Sequence, residues 1–94
     1  MVHERIDRDQ ENQMIARVPL GAIFAHYKGG KYKILGVGRD SEILGLCVIY
    51  QALYDSSDFG DHAVWIRPLE MFFERVAFNG KEIARFELIS GDVR

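Results

Sequence analysis

LCVIYQALY at residues 46–54, the polar stretch DSSDFGDH at 55–62 and VWIRPLEMFF at 64–73 decide the fold. Both apolar runs are dense in β-branched and aromatic side chains, which suit a pleated, half-buried surface. The stretch between them is turn chemistry throughout, so the runs read as paired strands. Alternation sets Val48, Tyr50, Ala52 and Tyr54 on one side of the first strand and Cys47, Ile49, Gln51 and Leu53 on the other. Both sides are apolar for much of that length, which predicts burial on both faces. Val64 to Arg67 form a short second strand that Pro68 ends, because proline has no N–H for the ladder. Leu69 to Phe72 read as a single turn that drops Met71 and Phe72 or Phe73 into the core.

Upstream, residues 22–37 read as a hairpin across Gly29-Gly30, since paired glycines supply the positive φ of a two-residue turn. That turn would set Lys28 opposite Lys31, Tyr27 opposite Tyr32, His26 opposite Lys33, Ala25 opposite Ile34 and Phe24 opposite Leu35. The face carrying Tyr27, Tyr32, Ala25 and Ile34 then covers the core. The other face stacks Lys28, Lys31, His26 and Lys33, an arrangement that costs a few tenths of a kcal/mol per like-charged pair. It is either a solvated hairpin tip or a tip that contacts an anion.

Downstream, residues 74–88 form a second hairpin across Asn79-Gly80, a strong short-range turn signal. Its register pairs Val76 with Ile83 and Glu74 with Arg85, and brings Phe73 to Phe86. The total is a mainly β fold, a small barrel or roll of five or six short antiparallel strands. Residues 1–18 are an arm or short helix, with a weak helical pattern over 5–17 that Pro19 ends. Residues 19–89 make the β domain and 90–94 a frayed tail.

The totals bound the function. Ninety-four residues make one domain with a modest core. A net charge of −2 gives no global attraction to nucleic acid or to an anionic membrane. Cys47 is the single cysteine; it excludes an intrachain disulfide and fits a reducing, cytoplasmic compartment, packing as a small inert hydrophobe. MVHERIDRDQENQ at 1–13 has no apolar core of a secretory signal, and no run approaches the length of a membrane span.

HYKG at 26–29, Tyr32, Leu35-Gly36, Ser41-Glu42, YQALY at 50–54, WIRPL at 65–69, Phe72 and Arg85-Phe86 together resemble the bacterial DUF1653 family. The resemblance covers residues 19–89 and departs from the family pattern in a longer loop at 55–63 and an N-terminal extension. That family is similar to SH3-type small β-barrels and its function is uncharacterised. The resemblance therefore implies an SH3-like barrel and no particular activity.

Trp65 and Arg67 project from one face of their strand, beside Tyr50 and Tyr54. An aromatic face next to a guanidinium suits a planar or anionic ligand, stacked by the rings and forked by the arginine. The leading expectation is a non-enzymatic binding module with a ligand face of Tyr50, Tyr54, Trp65 and Arg67, extended by His26, Glu42, Lys28 and Lys33. Its ligand is an anionic small molecule, a nucleotide or nucleic acid, or a peptide. The structural alternative makes Trp65 and Tyr50 core and pairs Arg67 with Glu42 or Glu70. A second function, a small enzyme on a phosphorylated or carboxylated metabolite, would use His26 as base, Glu42 as acid or base and Arg67 as anion clamp. No nucleophile elbow, phosphate loop or zinc motif is present. A third is assembly as a homodimer through a strand edge. No cofactor is expected. The Asp and His residues of 55–62 have neither EF-hand nor zinc spacing, so that stretch reads as a surface loop rather than a cation site.

Overall fold

The computed structural model describes residues 7–90. It begins with helix α1 (Arg8–Ile15). Asp7 caps it: its Oδ1 accepts from the backbone N–H of Asp9 at 3.0 Å and of Gln10 at 3.1 Å. At eight residues α1 is too short to be stable alone, so tertiary contacts hold it although none of its residues is fully buried. Glu11 takes the Arg39 guanidinium through two bonds of 2.9 and 3.0 Å, and Met14 and Ile15 pack on the core. The helix is shorter than the 5–17 pattern predicts; positions 5 and 6 lie outside the described residues.

Nine strands follow among the described residues, where five or six were expected. They are β1 (Ile23–His26), β2 (Lys31–Arg39), β3 (Leu46–Ala52), β4 (Asp55–Ser56), β5 (Gly60–Asp61) and β6 (Val64–Pro68). After the single turn α2 (Leu69–Phe72) come β7 (Arg75–Phe78), β8 (Lys81–Ala84) and β9 (Phe86–Ser90). The mainly β expectation holds. The extra count comes from small ribbons: β4 pairs β5 inside what reads as a loop, and β7 pairs β8. The main sheet is antiparallel in the order β6-β3-β2-β1-β9. A register shift between Ile34 and Gly36 leaves Leu35 as an extra residue in β2, a bulge that bends the strand.

The first hairpin corrects the two-residue register. Observed partners are Ile23 with Lys33, Phe24 with Tyr32 and Ala25 with Lys31, joined by a four-residue loop at 27–30. His26 N–H donates to the Gly30 carbonyl at 3.0 Å and Gly29 N–H to the His26 carbonyl at 2.8 Å. Core burial decides the register. The observed pairing puts Phe24 inside at 3% exposure, and burying a phenylalanine is worth about 1.5–3 kcal/mol. The expected stack of basic residues is dissolved: Lys28 moves into the loop, and His26 turns inward against Tyr32 and Phe86.

The second hairpin keeps its expected register, Val76 opposite Ile83, with both Asn79 and Gly80 at positive φ. Arg85 reaches Glu74 at 3.0 Å. The strand does not run on to 88 unbroken, because β9 leaves β8 at Arg85 and pairs with β1, carrying Ser90 into the sheet rather than into a frayed tail. Positions 91–94 of that tail lie outside the described residues.

The core gathers Val18, Ala22, Phe24, Ile34, Val48, Tyr50, Leu69, Phe72 and Phe86. Phe72, not Phe73, meets Phe86: their rings stack 4.1 Å apart and 5° from parallel. Met71 is exposed, and Phe73 sits beside the core under the Arg17 guanidinium at 3.8 Å. Val48, Tyr50 and Ala52 of β3 are buried, whereas Cys47, Ile49 and Gln51 on its other face are only half-buried, a correction to burial on both sides. No helix of the described residues is long and apolar enough to cross a membrane.

Candidate anion-binding pocket

Each strand of the main sheet sends a side chain to one small hollow on its concave face. His26 ends β1, Tyr32 begins β2, Tyr50 lies in β3, Trp65 and Arg67 alternate inward from β6, and Phe86 begins β9. The ladder fixes their proximity: Tyr50 pairs with Trp65, and His26 pairs with Phe86. Together the six line a pocket of about 110 Å³.

Arg67 is its charged group. Its Nε donates to the Tyr50 hydroxyl at 3.1 Å, and its guanidinium carbon lies 5.8 Å from the Phe86 ring centroid. It pairs with no carboxylate among the described residues, neither Glu42 nor Glu70. The indole N–H of Trp65 is buried and has no acceptor among the described residues. His26 Nδ1 accepts the backbone N–H of Lys28 at 3.1 Å, which places the proton of the neutral ring on Nε2. Burial, with Arg67, Arg85 and Lys28 as further causes, holds His26 below the ordinary histidine range. The Tyr32 hydroxyl bonds that of Tyr54. Burial first, and then that bond, push the Tyr32 ionisation upward, so its hydroxyl stays protonated at neutral pH. The site is therefore rich in donors and carries one uncompensated positive charge.

Of the residues singled out from sequence, Tyr50, Trp65, Arg67 and His26 line this pocket. Tyr50 is also core, at 3% exposure, and still offers its hydroxyl to Arg67. Tyr54 stands one step outside, linked through Tyr32. Lys28 is exposed in the hairpin loop and Lys33 is exposed on β2, where Tyr32 and Ile34 take the inward positions. Glu42 is not brought to the site. It sits in the turn joining β2 to β3, where its backbone N–H donates to Asp40 Oδ1 at 2.8 Å. That turn adjoins Leu46, four residues from Tyr50, or about 13 Å along a strand. The trio His26, Glu42 and Arg67 is thus not assembled. Tyr32 and Phe86 complete the lining beyond the expected ligand face; alternation with Ile34 already places Tyr32 on the core-facing side of its strand.

A wider groove of about 230 Å³ runs between α1 and α2, lined by Met14, Ile43, Leu46, Cys47, Leu69 and two glutamates, Glu11 and Glu70. It is apolar and offers no cluster of donors. Cys47 is a half-buried free thiol there. In the 55–62 stretch His62 stands 3.9 Å from Asp55, and no group of three or more potential metal ligands is gathered among the described residues.

Residues 22–88 match a family model described as protein of unknown function, DUF1653. That span contains every residue of the pocket and omits α1. The chain is similar to a crystal structure of a protein belonging to DUF1653 from Bordetella bronchiseptica, with 27% identity and a TM-score of 0.66 over 79% of this chain and 91% of that one. No curated protein matches the sequence.

Proposed function

This chain belongs to the DUF1653 family, and from that premise we propose that it is a binding module, an SH3-like barrel in its curled sheet, whose pocket receives an oxyanion. The observation that carries this reading is Arg67, a guanidinium in a lined pocket with no carboxylate partner among the described residues. Its Nε bond to Tyr50 fixes the plane of the group and leaves the two Nη atoms to fork an anion. Whole small ligands occupy about 300–1,000 Å³, so a pocket of about 110 Å³ holds the charged end of a ligand and leaves the rest outside.

The chain has one tryptophan, and it lines the pocket, so intrinsic fluorescence reports the site directly. Titration with acetate, sulfate and inorganic phosphate should give a saturable change in emission for at least one of them. In Arg67→Met, which keeps most of the side-chain volume, the affinity should fall more than tenfold while the circular dichroism stays native. Emission that responds to no anion, or responds equally in Arg67→Met, rejects the reading.

A further inference from the structure

An anion pocket selects by charge as well as by shape. Among the described residues, Arg67 is the only cation lining this one. Arg85 is spent on Glu74 at 3.0 Å, and Lys28 lies exposed in the loop, its Nζ 5.7 Å from the Tyr27 ring. His26 does not add a charge, for a geometric reason. Its Nδ1 receives the Lys28 backbone N–H, and protonating that nitrogen would set two N–H groups head to head. The rings of Tyr27, Tyr32 and Phe86 pack against it, and Arg75 and Glu87 line the hollow on its other side.

We infer that the group bound in this pocket is a singly charged carboxylate and not a phosphate dianion, an assignment that rests on the oxyanion reading above. One guanidinium cancels one negative charge; a dianion would leave a net charge in a half-buried site, which is costly. The donor geometry also suits it: the paired Nη atoms of Arg67 form a fork that the two oxygens of one carboxylate match, and His26, whose neutral ring carries its proton on Nε2, lines the same pocket. The volume agrees as well: about 110 Å³ is the space of three or four waters at about 30 Å³ each, enough for a carboxylate and the carbons beside it. The walls those carbons meet are the rings of Tyr50, Trp65 and Phe86.

The test is a set of Trp65 fluorescence titrations at constant ionic strength and pH 7.5. The probes are acetate, propionate, a short peptide with a free C-terminal carboxylate, the same peptide amidated, inorganic phosphate and phenyl phosphate. At least one carboxylate should bind tenfold or more tightly than either phosphate. Tight acetate or propionate binding would identify a free small acid as the source. A tight peptide that loses tenfold or more on amidation would identify a chain terminus; both outcomes support the carboxylate. His26→Gln keeps an N–H donor and should stay within about threefold, whereas His26→Ala should weaken the best carboxylate about tenfold. Phosphate binding as tightly as carboxylate overturns the assignment and leaves the oxyanion reading standing. Unchanged affinity in His26→Ala overturns the donor set, and silence from every anion overturns both readings.

Discussion

Arg67 and Phe86 stand on the two opposite edge strands of the five-stranded sheet, yet the guanidinium carbon of one lies 5.8 Å from the ring centroid of the other. The sheet has curled until its edges meet across the concave face. The bulge at Leu35 supplies part of the bend. Phe72 then fills the interior, stacked on Phe86 and edge-on to Phe24 at 5.2 Å and Tyr50 at 5.4 Å. The pocket exists because of this closure: a flat sheet would hold the same six residues in a row.

Phe72 is fully buried at the centre of that closure. Phe72→Ala should cost about 3–5 kcal/mol, the usual range for a buried phenylalanine. Urea unfolding would measure it. Phe73→Ala, whose ring lies at the margin of the core under Arg17, should cost clearly less.

Tyr50→Phe removes only the hydroxyl that receives Arg67 Nε. Stability should drop by about 1 kcal/mol, which corresponds to a shift in Tm of about 4–8 °C for a domain of this size. Anion affinity should fall as well, because the guanidinium loses the bond that fixes its plane. A stable variant with unaltered anion affinity would show that Arg67 needs no such hold.

His26 gives the fold a pH dependence of definite sign. Its folded-state pKa lies below the ordinary value of 6.5, so between the two values the unfolded chain binds more protons than the folded one. Stability should therefore fall as the pH drops below about 6.5 and level off once the pH is under the folded value. Thermal melts from pH 8 to pH 5 would display the slope, and His26→Gln should flatten that part of it. An anion bound beside the ring favours the charged form, which raises the folded value towards the ordinary one and should shrink the fall.

Gly30 is constrained twice. Its φ is +88°, and a Cβ there would lie 3.1 Å from the Tyr54 ring. Gly80 has a φ of +76° and open space around it. Both alanine variants should pay the left-handed cost of about 1–2 kcal/mol, and Gly30→Ala should lose more because Tyr54 must move. Paired denaturation curves would separate the two. Only Gly30→Ala should also alter anion binding, through the bond between Tyr54 and Tyr32.

The sequence alone determined whatever depends on local pattern. Alternation in 46–54 set Val48 and Tyr50 on one face of β3, and alternation in 64–68 set Trp65 with Arg67 on one face of β6, while which face turns inward was left to packing. Asn79-Gly80 fixed its hairpin register, because a two-residue turn with both residues at positive φ admits one pairing. The spaced residues of 19–89 identified the family. What the tertiary structure decided is whatever long-range packing overrides. Gly29-Gly30 offered the same two-residue turn, but burial of Phe24 and the pairing of β1 with β9 moved the register and carried His26 from a basic outer face to the pocket wall. Glu42 shares a strand connection with the site and lies at the wrong end of it. Phe86 joins Arg67 only because the curled sheet brings edge to edge, a distance in space that no spacing along the chain encodes.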